Sequence, residues 1–111
     1  MQVAVSEQNG ITVLSLTGRM DATTANIFGD ACRASLDGGA RRVVVDMSGV
    51  EYVSSAGLRV ILTMLKATRS LKGTLAFCGL QPMVSEVFRI SGFNSMLSTY
   101  ATTTEALAAL A

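Results

Sequence analysis

A short run of β-branched residues, Arg42-Val-Val-Val-Asp46, leads through a polar stretch into an apolar segment that opens with Ala56-Gly-Leu-Arg-Val-Ile-Leu. The run is typical of a central strand that is covered on both of its faces. In the segment that follows, apolar residues recur at helical spacing, at positions 58, 61, 62 and 65. This strand-to-helix unit predicts an α/β fold, in which strands and helices alternate along the chain.

The rest of the chain shows the same alternation. Asn9-Gly10 predicts a type I′ hairpin between the first two strands, because this turn needs a positive φ at both central positions. Gly18 is expected to end the second strand, and Asp21 to cap the first helix. Thr102-x-x-Glu105 forms a capping box that predicts the start of the last helix. The predicted strands span 2–7, 11–17, 42–46, 74–78 and 95–99, and the predicted helices span 22–36 and 82–91, with two more after residues 55 and 102.

The predicted order of elements is therefore ββαβαβαβα. This order implies a mixed, mostly parallel sheet with right-handed crossovers and with helices packed against it, the opening hairpin supplying the antiparallel pair. With 111 residues the chain has room for one domain, which we expect to span residues 1–111. Because 50% of the residues are hydrophobic, the chain can form a core and is too apolar to be disordered.

Charge and composition argue against several classes of function. The formal net charge is +1, so nothing favours nucleic acid as a partner. No apolar run approaches the roughly 18 residues needed to cross a bilayer, and the N-terminus lacks the pattern of a signal peptide. We therefore expect a cytoplasmic protein with no membrane partner. Cys32 and Cys78 are expected to be reduced and mostly buried.

The residues that form common catalytic and metal sites are missing or scattered. The chain has no histidine, which removes the Ser-His-Asp triad and the commonest zinc ligand. It also has no glycine-rich phosphate-binding motif. Asp46 stands at the predicted end of a parallel strand, where active sites often lie, but we expect it to bond local backbone N–H groups together with Ser48. No catalytic residue, metal or cofactor is predicted, and an enzyme is the weakest hypothesis.

Two adjacent serines, Ser54 and Ser55, lie directly before the second predicted helix. The first backbone N–H groups of a helix have no intrahelical partner, and the helix dipole is positive there. A phosphate on Ser55 could therefore be carried without disrupting the fold. The alternative is that Ser54 or Ser55 acts only as the N-cap of the helix, a position that serine favours.

The segments Val43-Val-Val-Asp46-Met-Ser48 and Ser54-Ser-Ala-Gly-Leu58 resemble the signature of the STAS family, the anti-sigma factor antagonists of bacterial partner-switching systems. In that signature an apolar strand precedes Asp-x-Ser, a short stretch, Asp-Ser-Ser-Gly-Leu and an apolar helix. The resemblance covers nearly the whole chain and includes residues 16–21, 75–79 and 87–88. Ser54 stands where the family often has Asp, and Ala56 stands where a second Ser is frequent.

This resemblance implies a phosphoserine switch. By the family's pattern Ser55 is the phosphate acceptor, modified by an anti-sigma factor that is also a serine kinase and restored by a metal-dependent serine phosphatase. The unphosphorylated protein would bind the kinase and free the kinase's other client. The docking surface is expected at the end of the sheet that carries the two serines. Its expected contact residues are Asp21, Thr23, Ser54, Ser55, Gly57 and Arg59.

Alternatives stay open for single residues and for the whole protein. Asp21 could serve only as an N-cap, Arg59 only as part of a solvated helix face, and Met20 either as a buried residue or as an interface contact. Leu58 is expected in the core. The alternative function is a STAS-type module that is not phosphorylated and binds a protein or a small ligand through the same end of the sheet. Nothing in the sequence demands more than a monomer, which is the expected state.

Overall fold

The computed structural model describes all 111 residues and confirms the predicted order of strands and helices. A single turn of 3₁₀ helix, Phe93–Ser95, is the one helical element that the sequence did not predict. The strands are β1 (Gln2–Gln8), β2 (Ile11–Met20), β3 (Arg42–Val53), β4 (Thr74–Cys78) and β5 (Ser98–Tyr100). The helices are α1 (Ala25–Asp37), α2 (Ser55–Ser70), α3 (Pro82–Ile90) and α4 (Thr103–Leu110).

The five strands form one mixed sheet in the order β1-β2-β3-β4-β5. β1 and β2 pair antiparallel, and each later pair of neighbours is parallel, as predicted. Asn9 and Gly10 have φ values of 55° and 77°, so the chain turns at the predicted hairpin with a positive φ at both positions. The predicted fold class, a mostly parallel α/β sheet with an opening hairpin, is confirmed.

The sheet has two apolar faces of unequal size. On the larger face, residues of β2, β3 and β4 pack against α1, α2 and α3, with Phe28, Phe77 and Phe88 fully buried. The rings of Phe77 and Phe88 meet edge to face with 6.0 Å between their centroids. On the smaller face, Ile11, Val13, Val44 and Cys78 pack around Ala106 of α4. Val43 and Val45 of β3 face the larger core and Val44 faces the smaller one, which explains why this part of the strand is continuously apolar.

Strands β2 and β3 are longer than predicted, and this correction positions the candidate site. Gly18 does not end β2: it lies at a register shift beside β3 with a φ of 113°, and pairing continues to Met20 opposite Val53. β3 likewise continues past Asp46 through the polar residues that were predicted as a turn. β4 ends opposite Asp46. The paired strands β2 and β3, here called the β2–β3 ribbon, therefore extend beyond the remainder of the sheet.

The start of α1 also differs from the prediction. The helix begins at Ala25 rather than at residue 22, and Thr24, not Asp21, occupies the N-cap position. Asp21 lies three residues further back and uses its carboxylate to close a local turn, which is described below. The last strand is shifted as well, from 95–99 to Ser98–Tyr100, because residues 93–95 form the 3₁₀ turn.

Candidate functional site

Ser54 and Ser55 lie at the junction of β3 and α2, and the structure gives them different roles. Ser54 is the N-cap of α2: its Oγ accepts the Gly57 N–H at 3.2 Å, and its carbonyl accepts the Leu58 N–H at 2.9 Å. The Ser54 N–H donates to the Met20 carbonyl at 2.8 Å, which ties the start of α2 to the end of β2. The open question of which serine caps the helix is therefore settled in favour of Ser54.

Ser55 is the first residue of α2, and its side chain is exposed. Its hydroxyl makes no hydrogen bond within the protein, since the capping bond belongs to Ser54. The first turn of α2 contains no acidic residue, so nothing nearby on the helix offsets the positive end of its dipole. Ser55 thus presents a free hydroxyl at a position where added negative charge is tolerated.

Gly57 brings the start of α2 into direct contact with the sheet. The residue is buried, and a Cβ at this position would lie 2.9 Å from Met20 Cγ and 3.0 Å from both the Met20 carbonyl oxygen and Val53 Cγ1. Any side chain would therefore push α2 away from β2 and β3. The structure places Gly57 beneath the candidate surface, where it fixes the position of Ser55. Met20 is fully buried, which resolves the alternative left open for it.

The loop between β2 and α1 lies beside the two serines, because Asp21 directly follows the Met20 carbonyl to which Ser54 is bonded. The Asp21 carboxylate accepts the Thr23 N–H at 2.9 Å and the Thr23 hydroxyl at 2.7 Å. These two bonds, the hydroxyl first, hold the pKa of Asp21 below its usual value. The loop is thus stabilised by its own side chains, with Thr23 exposed at the surface.

Arg59 lies one turn after Ser55 on α2 and is exposed. Its guanidinium has no hydrogen-bond or ion-pair partner in the protein, while Leu58 beside it is half-buried against the core. Asp46, by contrast, behaves as expected: its carboxylate accepts the Ser48 N–H at 3.0 Å. Arg59 is therefore available to a partner, and Asp46 is occupied locally.

The sequence did not predict a surface patch formed by the ends of β2 and β3 and the start of α3. The Arg19 guanidinium carbon lies 4.4 Å from the centre of the Tyr52 ring, a cation–π contact across the β2–β3 ribbon. Tyr52 is 37% exposed, and Met83 at the start of α3 is 70% exposed. These residues line one shallow depression together with Glu51, Gln81 and Pro82. No local signal could have revealed it, since the register shift in β2 sets the pairing of Arg19 with Tyr52.

Other chemistries receive no support from the described side chains. No three His, Cys, Asp or Glu residues are grouped so as to hold a metal ion. Cys32 and Cys78 are free and buried, as predicted. Burial raises the pKa of the Cys32 thiol to about 11 and also raises that of Cys78, so neither is a reactive thiolate. None of the helices is both long and apolar enough to cross a membrane.

The fold and the surface around Ser55 define a class: small α/β binding domains with an exposed serine at the start of a helix. A family model described as the STAS domain matches residues 2–106, and the chain belongs to that family. The family is a class of regulatory binding proteins. The resemblance seen in the sequence is thereby confirmed.

The chain is similar to several proteins of this family. BtrV of Bordetella bronchiseptica, named as a candidate anti-sigma factor antagonist, is 40% identical over 96 residues, which cover 86% of this chain and 83% of BtrV. An anti-sigma F factor antagonist of Paenibacillus polymyxa is 25% identical over 115 residues, covering 99% and 95% of the two chains. A crystal structure from Thermotoga maritima superposes with a TM-score of 0.92 at 21% identity, covering 97% and 93%.

Proposed function

We propose that this protein is an anti-sigma factor antagonist of a bacterial partner-switching system. In its unphosphorylated form it binds an anti-sigma factor that is also a serine kinase, and phosphorylation of Ser55 releases it. The observation that carries this proposal is the division between the two serines. Ser54 alone caps α2, so the exposed Ser55 hydroxyl has no structural duty and is free to accept a phosphate.

The chemistry of the switch follows from the position of Ser55. A phosphate there adds about −1.5 to −2 charges at neutral pH, and the positive end of the α2 dipole accommodates them within the domain. Their effect therefore falls on a docked protein. Like charges brought together across an interface cost several kcal/mol, and each 1.4 kcal/mol or so lowers affinity tenfold. One phosphate is thus enough to change the partner.

Three residues of the patch at the ends of β2 and β3 are of types common in protein interfaces. Tyr52, Met83 and Arg19 belong to the residue types that are enriched in interface centres. The Asp21–Thr23 loop follows the Met20 carbonyl that accepts the Ser54 N–H, and Arg59 lies one turn after Ser55 on α2. We place the docking surface across these groups, with Ser55 in its middle, where a phosphate disturbs the complex most.

The similar proteins support the same partners. BtrV and the Paenibacillus protein carry names that describe antagonists of anti-sigma factors, and we extend that role to this chain. A metal-dependent serine phosphatase reverses the modification. Residues 1–111 act as one unit, as a monomer in the cytoplasm, and need no cofactor. The protein itself performs no catalysis in this scheme, because its part is to be bound, modified and released.

The proposal is tested by capture from a lysate of the source cells with ATP added. Wild-type protein and the variants Ser55→Ala, Ser55→Asp and Ser85→Asp are immobilised, and the retained proteins and phosphorylated residues are identified by mass spectrometry. Ser85 is an exposed serine of α3 without a side-chain hydrogen bond, so Ser85→Asp adds the same charge elsewhere. Wild type, Ser55→Ala and Ser85→Asp should retain a serine kinase, and Ser55→Asp should lose it.

Only the two proteins that keep Ser55, wild type and Ser85→Asp, should gain a phosphate on that residue. If all four proteins retain the same partners and Ser55 stays unmodified, the switch is refuted. The result would then support the alternative function, a STAS-type module that binds a protein or a small ligand without phosphorylation.

A further inference from the structure

A groove between α1 and α2 shares Arg59 with the proposed docking surface, and its other lining residues lie outside that surface. From α1 it is lined by Gly29, Asp30 and Arg33, and from α2 by Arg59, Val60 and Thr63. Its polar side chains are exposed, and its apolar floor is formed where the two helices touch. The groove is therefore an open channel between two helices, with charged walls and an apolar floor.

The charge in this groove is unbalanced. Neither Arg33 nor Arg59 makes a side-chain hydrogen bond, and the one ion pair of the protein joins Arg89 to Glu86 on α3. Asp30 is the only carboxylate that lines the groove. α2 carries three basic residues, Arg59, Lys66 and Arg69, and no acidic residue along its whole length. Two free guanidinium groups from two different helices thus face a common channel.

Gly29 lets the two helices come into close contact at the floor of the groove. A glycine inside a helix costs about 1 kcal/mol relative to alanine, so its presence in the middle of α1 calls for a reason. Unlike Gly57, Gly29 is not in close backbone contact: a Cβ there would meet one atom, Val60 Cγ1, at 3.0 Å. The missing side chain therefore lets Val60 of α2 pack directly against the backbone of α1, and this contact forms the floor of the groove.

We propose that this groove docks a carboxylate-bearing segment of a protein partner. Arg33 and Arg59 bind its carboxylates, since guanidinium groups bind carboxylates through paired N–H donors. An apolar side chain of the segment rests on the floor at Gly29 and Val60. Asp30 accepts a peptide N–H of the segment, whereas the same carboxylate would repel a small free anion. Two guanidinium groups, one carboxylate that accepts hydrogen bonds and an apolar floor fit an acidic peptide better than inorganic phosphate.

The test is an NMR titration of the full-length ¹⁵N-labelled protein. The probe is an acetylated and amidated hexapeptide of alternating glutamate and leucine, and its control has glutamine in place of glutamate. The acidic peptide should shift the amide signals of Gly29, Val60 and Thr63. It should leave unchanged those of Gly39 and Arg41, which line a separate depression together with Arg42. Arg33→Gln and Arg59→Gln should each weaken binding about tenfold, or about 1.4 kcal/mol.

Lys66→Gln is the matched control, because Lys66 is an exposed cation of α2 that does not line the groove. All three variants change exposed side chains without hydrogen bonds, so their spectra should otherwise match wild type. The proposal is overturned if the acidic peptide causes no saturable shifts, or if Lys66→Gln weakens binding as much as Arg59→Gln. It is also overturned if the glutamine peptide, or inorganic phosphate alone, gives the same shifts at the same concentration.

Discussion

At the scale of single residues, two neighbouring serines with the same chemistry have separate tasks. Ser54 accepts a hydrogen bond from the Gly57 N–H and donates its own N–H to the Met20 carbonyl, so it contributes to the stability of the fold. Ser55 is displaced by one position, which turns its hydroxyl away from the cap and towards solvent. In the proposed switch, stability and signalling therefore depend on different side chains, and each can be altered without the other.

This division predicts how the two alanine variants differ in stability. Ser54→Ala should lower the free energy of unfolding by about 1 kcal/mol, because the capping bond to Gly57 is lost. Ser55→Ala should change it by less than about 0.5 kcal/mol, as is usual for a surface position. Denaturant unfolding followed by circular dichroism measures both values. Ser54→Asp is the control, since aspartate also caps helices and should retain most of the stability. Equal losses for the two alanine variants would contradict the assignment.

The sequence predicted correctly those turns and caps that are formed by bonds between neighbouring residues. Asn9-Gly10 and the Thr102 cap depend on a few neighbouring residues, and both were predicted correctly. Asp21 was predicted as an N-cap, but its carboxylate instead accepts the Thr23 N–H. An aspartate that accepts a nearby backbone N–H can either cap a helix or close an Asx turn before it, and the local sequence is similar in both cases. Sequence alone also could not decide whether Ser54 or Ser55 is the N-cap of α2, because both side chains offer the same hydroxyl acceptor.

At the scale of elements, the β2–β3 ribbon determines the shape of the candidate surface. Its length depends on pairs such as Thr17 with Gly49 and Arg19 with Tyr52, which join residues more than thirty positions apart across two register shifts. Pairing at that distance leaves no local pattern, so the polar end of β3 was predicted as a turn. The Tyr52 patch was missed for the same reason, although its residues are neighbours in space.

The patch predicts a difference between two equally exposed residues of α3. Met83 and Ile90 are both 70% exposed, but only Met83, at the start of the helix, lies beside Tyr52. Met83→Ala should weaken binding of the proposed kinase, once it is purified, about tenfold, as expected for an interface residue worth about 1.4 kcal/mol. Ile90→Ala should leave the affinity unchanged. Isothermal titration calorimetry with both variants measures the contrast, and an equal effect of the two changes would argue against docking at this patch.

At the scale of the whole molecule, the sheet is covered unevenly. Three helices enclose the larger core, whereas α4 alone covers the smaller one. Alternation of strands and helices along the chain predicted the layers. It did not predict this inequality, because the sequence does not say on which face of the sheet each helix will pack. The candidate surface and the α1–α2 groove both involve the three-helix side.

The uneven cover predicts that α4 opens before the rest of the fold. α4 has eight residues, only Ala106 of which is buried, and isolated helices of this length are unstable in water. Its amides should therefore exchange with solvent faster than the central amides of α2 and β3, whose protection reports opening close to global unfolding. Hydrogen exchange followed by NMR gives the comparison. Equal protection of α4 and β3 would show that the fold opens as one unit.

The division of labour between Ser54 and Ser55 also affects how such a protein can evolve. A substitution at Ser55 changes no bond on which folding depends, so purifying selection for a folded chain does not act on that hydroxyl. Lineages can therefore lose or regain it through single codon changes without passing through a misfolded ancestor. Selection that keeps a serine at position 55 in a population must therefore act on something other than folding.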